Sequence, residues 1–133
     1  MCRTINHSRG AYFPTMRLIA ILLLLPTLTN AQTRVLFVGN SYTYANDLPN
    51  MLRQVALTLG DDITVASSAP GGYQFWQHAT YAPTLTAIAS QNWDFVVLQE
   101  QSQLGALPLA LTTTSGGAAA LVDSIEANNE CTY

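Results

Sequence analysis

The 133-residue chain carries five basic and eight acidic residues, a net charge of −3 with both histidines neutral, and no lysine. That length has room for one domain and no more. A chain so poor in positive charge offers no basic patch to a phosphate backbone, which excludes nucleic acid as a partner and suits neutral substrates better.

From Met16 the sequence reads MRLIAILLLLPTLTNAQT: one arginine, an apolar run from Leu18 to Leu25, Pro26, then small and polar residues to Ala31. This is the pattern of a secretory signal peptide cut after Ala31, because the apolar run falls short of the about 20 residues that a membrane span needs. Residues 1–15 are polar and irregular, so Met16 is read as the true start. The expected domain is 32–133, exported to a secreted or periplasmic location, with no stable membrane span once the signal is removed. In it Arg34 and Arg53 face eight acidic residues, a net charge of −6. Cys2 leaves with the leader, and an odd Cys131 in an exported protein points to intermolecular pairing, a free thiol or a partner missing from the chain, the last being favoured.

Val35 to Val38 is a continuous apolar run, as expected of a parallel strand covered on both faces. Asn46 or Asp47 can cap the next helix, where Leu48, Met51, Leu52, Val55 and Leu59 share one face and Gly60 ends the run. Ile63 to Ser67 reads as a second strand, followed by a turn at Pro70-Gly71-Gly72. Pro83 to Ser90 reads as a short helix with Pro83 in its first turn. Phe95 to Leu98 is a third buried strand. The stretch LTTTSGGAAA (111–120) reads as a loop running into a last helix marked by Ala118, Leu121, Val122 and Ile125 and ended by Asn128-Asn129. The alternation β-α-β-α-β-α implies an α/β fold with a parallel sheet and helices on both faces. A third strand so apolar would be left as a bare edge. Cys131-Thr132-Tyr133 stands where a fourth strand should begin, so the fold is expected to be incomplete at its C-terminal end.

In an open parallel sheet ligands bind beyond the carboxyl ends of the strands. Three turns lie there: Gly39-Asn40-Ser41, Pro70-Gly71-Gly72 and Gln99-Glu100-Gln101. Ser41 would sit where backbone N–H groups can stabilise an oxyanion, and Gly71-Gly72 leave theirs open to a ligand. A glutamine amide from the third turn could add a donor. A serine needs a base, and the only histidine of the domain, His78, lies in GGYQFWQHATY among aromatics that can pack it. Nothing in the spacing brings it to Ser41, so it reads as structural or substrate-contacting rather than as the base. Ser41 with Asn40 could equally make only a turn. Glu100 reads as a solvated or supporting carboxylate, Asp94 as the start of the third strand, and Trp76, Trp93 and Phe75 as core, although Phe75 and Trp76 follow the glycine turn and could line a site. No cysteine pair or histidine cluster suggests a metal site.

LFVGNSYTYANDLP (36–49), PGG (70–72) and WDFVVLQEQS (93–102) together resemble the SGNH (GDSL-like) hydrolases, in a secreted bacterial subgroup whose first block reads G-N-S-[FY]-T. The likeness spans roughly residues 34–129, and its first block is the specific part. It implies a three-layer α/β/α sandwich with a flavodoxin-like parallel sheet, Ser41 as nucleophile, and the N–H groups of Ser41 and Gly72 (or Gly71) as oxyanion donors. The family's third donor is an asparagine after the third strand. Gln99, Glu100 and Gln101 stand there instead, with Gln101 and Gln99 as the candidates. Asn40, Gly71, Gln99 and His78 are the remaining candidates for substrate contact. The family's base is a histidine in a late Asp-x-x-His block, which nothing here matches, so the acid–base half is expected beyond Tyr133. The implied activity is that of a secreted serine esterase needing no cofactor, acting on a small-molecule or carbohydrate ester such as an O-acetyl group. The competing expectations are a non-catalytic carbohydrate- or acyl-binding relative, and a phosphate site in the 39–43 turn.

Overall fold

The apolar run after Thr33 becomes the central strand of a parallel sheet in the computed structural model, which describes residues 32–104 and 114–133. The strands are β1 (Arg34–Val38), β2 (Thr64–Ser68) and β3 (Phe95–Leu98), in the order β2-β1-β3. Val35 stands opposite Val65 on one side and Phe95 on the other, and Val38 opposite Ser68 and Leu98. The described helices are α1 (Ser41–Tyr44), α2 (Leu48–Thr58), α3 (Phe75–His78), α4 (Ala82–Ala89) and α5 (Thr114–Asn128). The fold is therefore mixed α/β.

Alternate residues of β1 belong to two separate cores. Leu36 and Val38 join Phe75, Ile88, Trp93, Leu121 and Ile125, whereas Val35 and Phe37 join Ile63, with Ala56 and Val65 packed against them. Successive side chains of a strand point to opposite faces, so β1 is buried on both, which is why its sequence is apolar without alternation.

Helix α2 departs from expectation. Asp47 occupies its N-cap with a left-handed backbone (φ 51°) and no side-chain capping bond. The stripe of Leu48, Met51, Leu52, Val55 and Leu59 turns outward, with Met51 54 %, Val55 57 % and Leu59 77 % exposed. Pro49 is buried and Ala56 packs on the Val35–Phe37–Ile63 core instead. These two residues lie two turns apart on one side of the helix, and the small Ala56 allows a close approach to the sheet.

Residues 114–120, read above as loop, are the first turns of α5. Glycine usually costs a helix about 1 kcal/mol, and here tertiary packing overrides that. Gly117 is buried at the crossing with α3, where a Cβ would lie 2.7 Å from the Phe75 carbonyl carbon and collide with the Trp76 nitrogen.

Trp93 ties the elements together from just before β3. Its Nε1–H donates to the Ala87 and Ile88 carbonyls at 3.0 and 3.2 Å, and its own carbonyl accepts from Asn129 Nδ2 and Thr132 Oγ1. Asp94, placed at the mouth of β3, accepts the Arg34 backbone N–H at 2.8 Å. The outer side of β3 is not bare. Tyr133 donates its N–H to the Asp94 carbonyl and accepts from Val96 at 2.7 Å, a parallel-ladder pattern. Cys131, expected to lack a partner in the chain, is not a free thiol. No described helix is long and apolar enough to cross a membrane.

Candidate functional site

The three turns after β1, β2 and β3 converge at one end of the sheet, and single hydrogen bonds between distant residues draw them together. Gln99 Oε1 accepts the Asn40 backbone N–H and the Thr43 hydroxyl, each at 3.1 Å. Asn40 Nδ2 donates to the Tyr73 carbonyl at 3.0 Å, which fastens the first turn to the second. Glu100 Oε1 accepts the Phe75 N–H at 3.1 Å and the Gln101 N–H at 2.7 Å, which fastens the third to the second. The Tyr44 hydroxyl lies 3.3 Å from the position a Gly71 Cβ would take.

Ser41 opens α1, directly after the Asn40 cap whose Oδ1 accepts the Tyr42 N–H. It is partly exposed. Its carbonyl accepts from Ala45, but its N–H and hydroxyl have no hydrogen-bond partner among the described residues. The same is true of the Gly71 and Gly72 N–H groups, both in exposed positions. Donors that are open to solvent and have no partner in the protein are available to a ligand oxygen.

Other candidate residues serve the frame instead. Asn40 is 1 % exposed and both ends of its amide are engaged inward, so it does not face a substrate. Gln99 is partly engaged: its Oε1 holds the first turn and one Nε2 proton is directed at the Glu100 carbonyl, while the second Nε2 proton has no partner among the described residues. Gln101 Oε1 accepts from Gln103 and Leu104, while its Nε2 has no partner among the described residues. Phe75 is core, and the half-exposed Trp76 donates to Gln74 Oε1 at 2.5 Å. No group of three His, Cys, Asp or Glu among the described residues could hold a metal ion.

His78 is 0 % exposed, so it neither contacts a substrate nor serves Ser41 as a base in this arrangement. Its Nε2 lies 2.8 Å from the Gly39 carbonyl, and its Nδ1 lies 2.7 Å from Thr84 Oγ1. The Tyr73 ring packs edge-on against it at 5.3 Å. Burial holds the imidazole below its ordinary value of 6.5, opposed by the Gly39 carbonyl and the nearby Glu100 charge. Between the folded value and 6.5 the unfolded chain binds more protons. This contribution to stability is therefore complete above about 6.5 and declines as pH falls through that window. The urea midpoint should drop from pH 7 to pH 5, and the drop should shrink in His78→Gln.

Thr43, Ser68 and Thr84 also support this frame. Nothing local distinguishes them from ordinary helix and strand hydroxyls.

Gly39 is required by close approach. A Cβ there would stand 2.8 Å from Gln99 Oε1 and collide with Thr43 Oγ1. Gly39→Ala should displace Gln99 from the Asn40 N–H and destabilise the fold by about 1–3 kcal/mol, read from urea unfolding.

Comparison of the chain with protein-family models, with curated proteins and with solved structures returned no match.

Proposed function

We propose that the protein is a secreted serine esterase of the SGNH type, built as a three-layer α/β/α sandwich and acting on small-molecule or carbohydrate esters, with O-acetyl groups foremost. One observation carries this reading: the Ser41 hydroxyl and the N–H groups of Ser41, Gly71 and Gly72, at turns that hydrogen bonds draw together, have no partner among the described residues. The Ser41 oxygen attacks the acyl carbon, and its proton passes to a base outside the described residues. The Ser41 and Gly72 N–H groups receive the developing oxyanion, with Gln101 Nε2 as the candidate third donor. Collapse expels the alcohol, which takes the proton, and water then releases the acyl group from Ser41. No step calls for a cofactor.

The test is turnover of an acetyl ester by the full-length secreted protein, combined with covalent capture of Ser41 by an organophosphonate and peptide mapping by mass spectrometry. Labelling at a residue other than Ser41, or turnover without Ser41, would remove the assignment.

A second reading is favoured by the internal engagement of both His78 nitrogens, which leaves Ser41 without a base among the described residues. In it the same turns bind a sugar or acyl group without cleaving it. Binding without turnover by the full-length protein would select it.

A further inference from the structure

The peptide unit that precedes the Asn40–Ser41 bond is clamped from both sides. The Gly39 carbonyl contacts His78 Nε2 at 2.8 Å, and the Asn40 N–H contacts Gln99 Oε1 at 3.1 Å. A carbonyl oxygen has no proton to give, so the proton of the first contact belongs to Nε2. A buried neutral ring then has a bare Nδ1, which accepts from the Thr84 hydroxyl at 2.7 Å. With its proton directed at the ring, Thr84 Oγ1 accepts in turn from the Ser68 hydroxyl at 2.8 Å. The direction of every bond is thus determined: Ser68 to Thr84 to His78 to the Gly39 carbonyl. The loop closes on itself, because the Gly39 N–H donates to the Ser68 carbonyl at 3.1 Å.

We propose that His78, held in its Nε2–H tautomer by the Gly39 carbonyl and seated by Thr84 and Ser68, is a positioning residue that with Gln99 fixes the plane of the Gly39–Asn40 peptide and so the placement of Ser41. This role rests on the reading of Ser41 as nucleophile. It gives the buried histidine a function other than that of base. Rotating this peptide would redirect the Ser41 hydroxyl and N–H, which act on the acyl carbon and the developing oxyanion and so chiefly in the transition state, and the effect falls on kcat rather than on KM.

The experiment has a spectroscopic and a kinetic arm, both on the full-length protein. Nitrogen-15 NMR of the imidazole at pH 7 should show a protonated Nε2 and a bare Nδ1; the Nδ1–H tautomer or an imidazolium would overturn the proposal. His78→Leu removes the donor, and His78→Gln offers an amide N–H in its place. For an acetyl ester, His78→Leu should lower kcat at least about tenfold with KM within about twofold, and His78→Gln should recover most of the loss. A folded His78→Leu with wild-type kcat would overturn it.

Should His78→Leu not fold, Thr84→Val takes its place: it leaves Nδ1 without its partner and loosens the ring, so a lowered kcat is expected, and a wild-type kcat would overturn the proposal. If the wild-type protein shows no Ser41-dependent turnover, the esterase reading falls by itself. The positioning claim is then decided by the Asn40 and Ser41 amide signals, which should shift in His78→Leu and return in His78→Gln. Signals unmoved by His78→Leu would overturn it.

Discussion

Ser41→Ala is expected to lower ester hydrolysis by the full-length protein by roughly 10⁴-fold or more, the scale on which acyl-transfer enzymes respond to loss of the nucleophile. The same substitution should leave the fold nearly untouched. The Ser41 hydroxyl has no hydrogen-bond partner among the described residues, and alanine is tolerated at the first position of a helix. A change within about 0.5 kcal/mol in urea unfolding is therefore expected, as for exposed sites without a special role. Ligand binding should persist, since the backbone donors of Ser41, Gly71 and Gly72 do not depend on the side chain at 41. A protein that binds but no longer turns over separates nucleophile from pocket. Turnover that survives the substitution would mean that Ser41 is only a turn residue.

Trp93→Ala is expected to destabilise the domain by about 3–5 kcal/mol, as for other buried aromatics replaced by alanine. Trp93 is 2 % exposed and packs with Leu36, Ile88 and Leu121. Its removal opens a cavity and takes the indole N–H from the Ala87 and Ile88 carbonyls at the end of α4. Whole domains are stable by only 5–15 kcal/mol, so a large part of the margin would go. Trp93→Phe keeps most of the volume and loses only the donor, and about 1–2 kcal/mol is expected for it. Circular dichroism followed through urea reads both. A loss below about 1 kcal/mol for Trp93→Ala would show that the cluster around Leu36 is not the principal core.

The succession of strands along the chain and the three turns were legible from local patterns, because apolar runs bounded by glycine, proline or asparagine are short-range signals. The outward turn of α2 was not. Its spacing showed that Leu48, Met51, Leu52, Val55 and Leu59 share a face, but periodicity does not say which side of a helix meets the sheet, and Pro49 with Ala56 took that place. The start of α5 was missed because Gly116-Gly117 reads as a loop, while the crossing with α3 needs a residue without a side chain at 117.

Within the candidate site, the sequence by itself determined that a serine follows β1 in a G-N-S turn, that a glycine pair follows β2, and that hydrogen-bonding side chains follow β3. Tertiary structure alone decided what each does. Gln99 reaches Asn40 across 59 residues and His78 reaches Gly39 across 39. Two residues that looked like donors or contacts for a substrate, Gln99 and His78, became supports for the serine turn. The physical reason is that a chain of side-chain hydrogen bonds depends on which strand ends are neighbours. Placing β1 between β2 and β3 brings those ends together, and no local spacing records that placement.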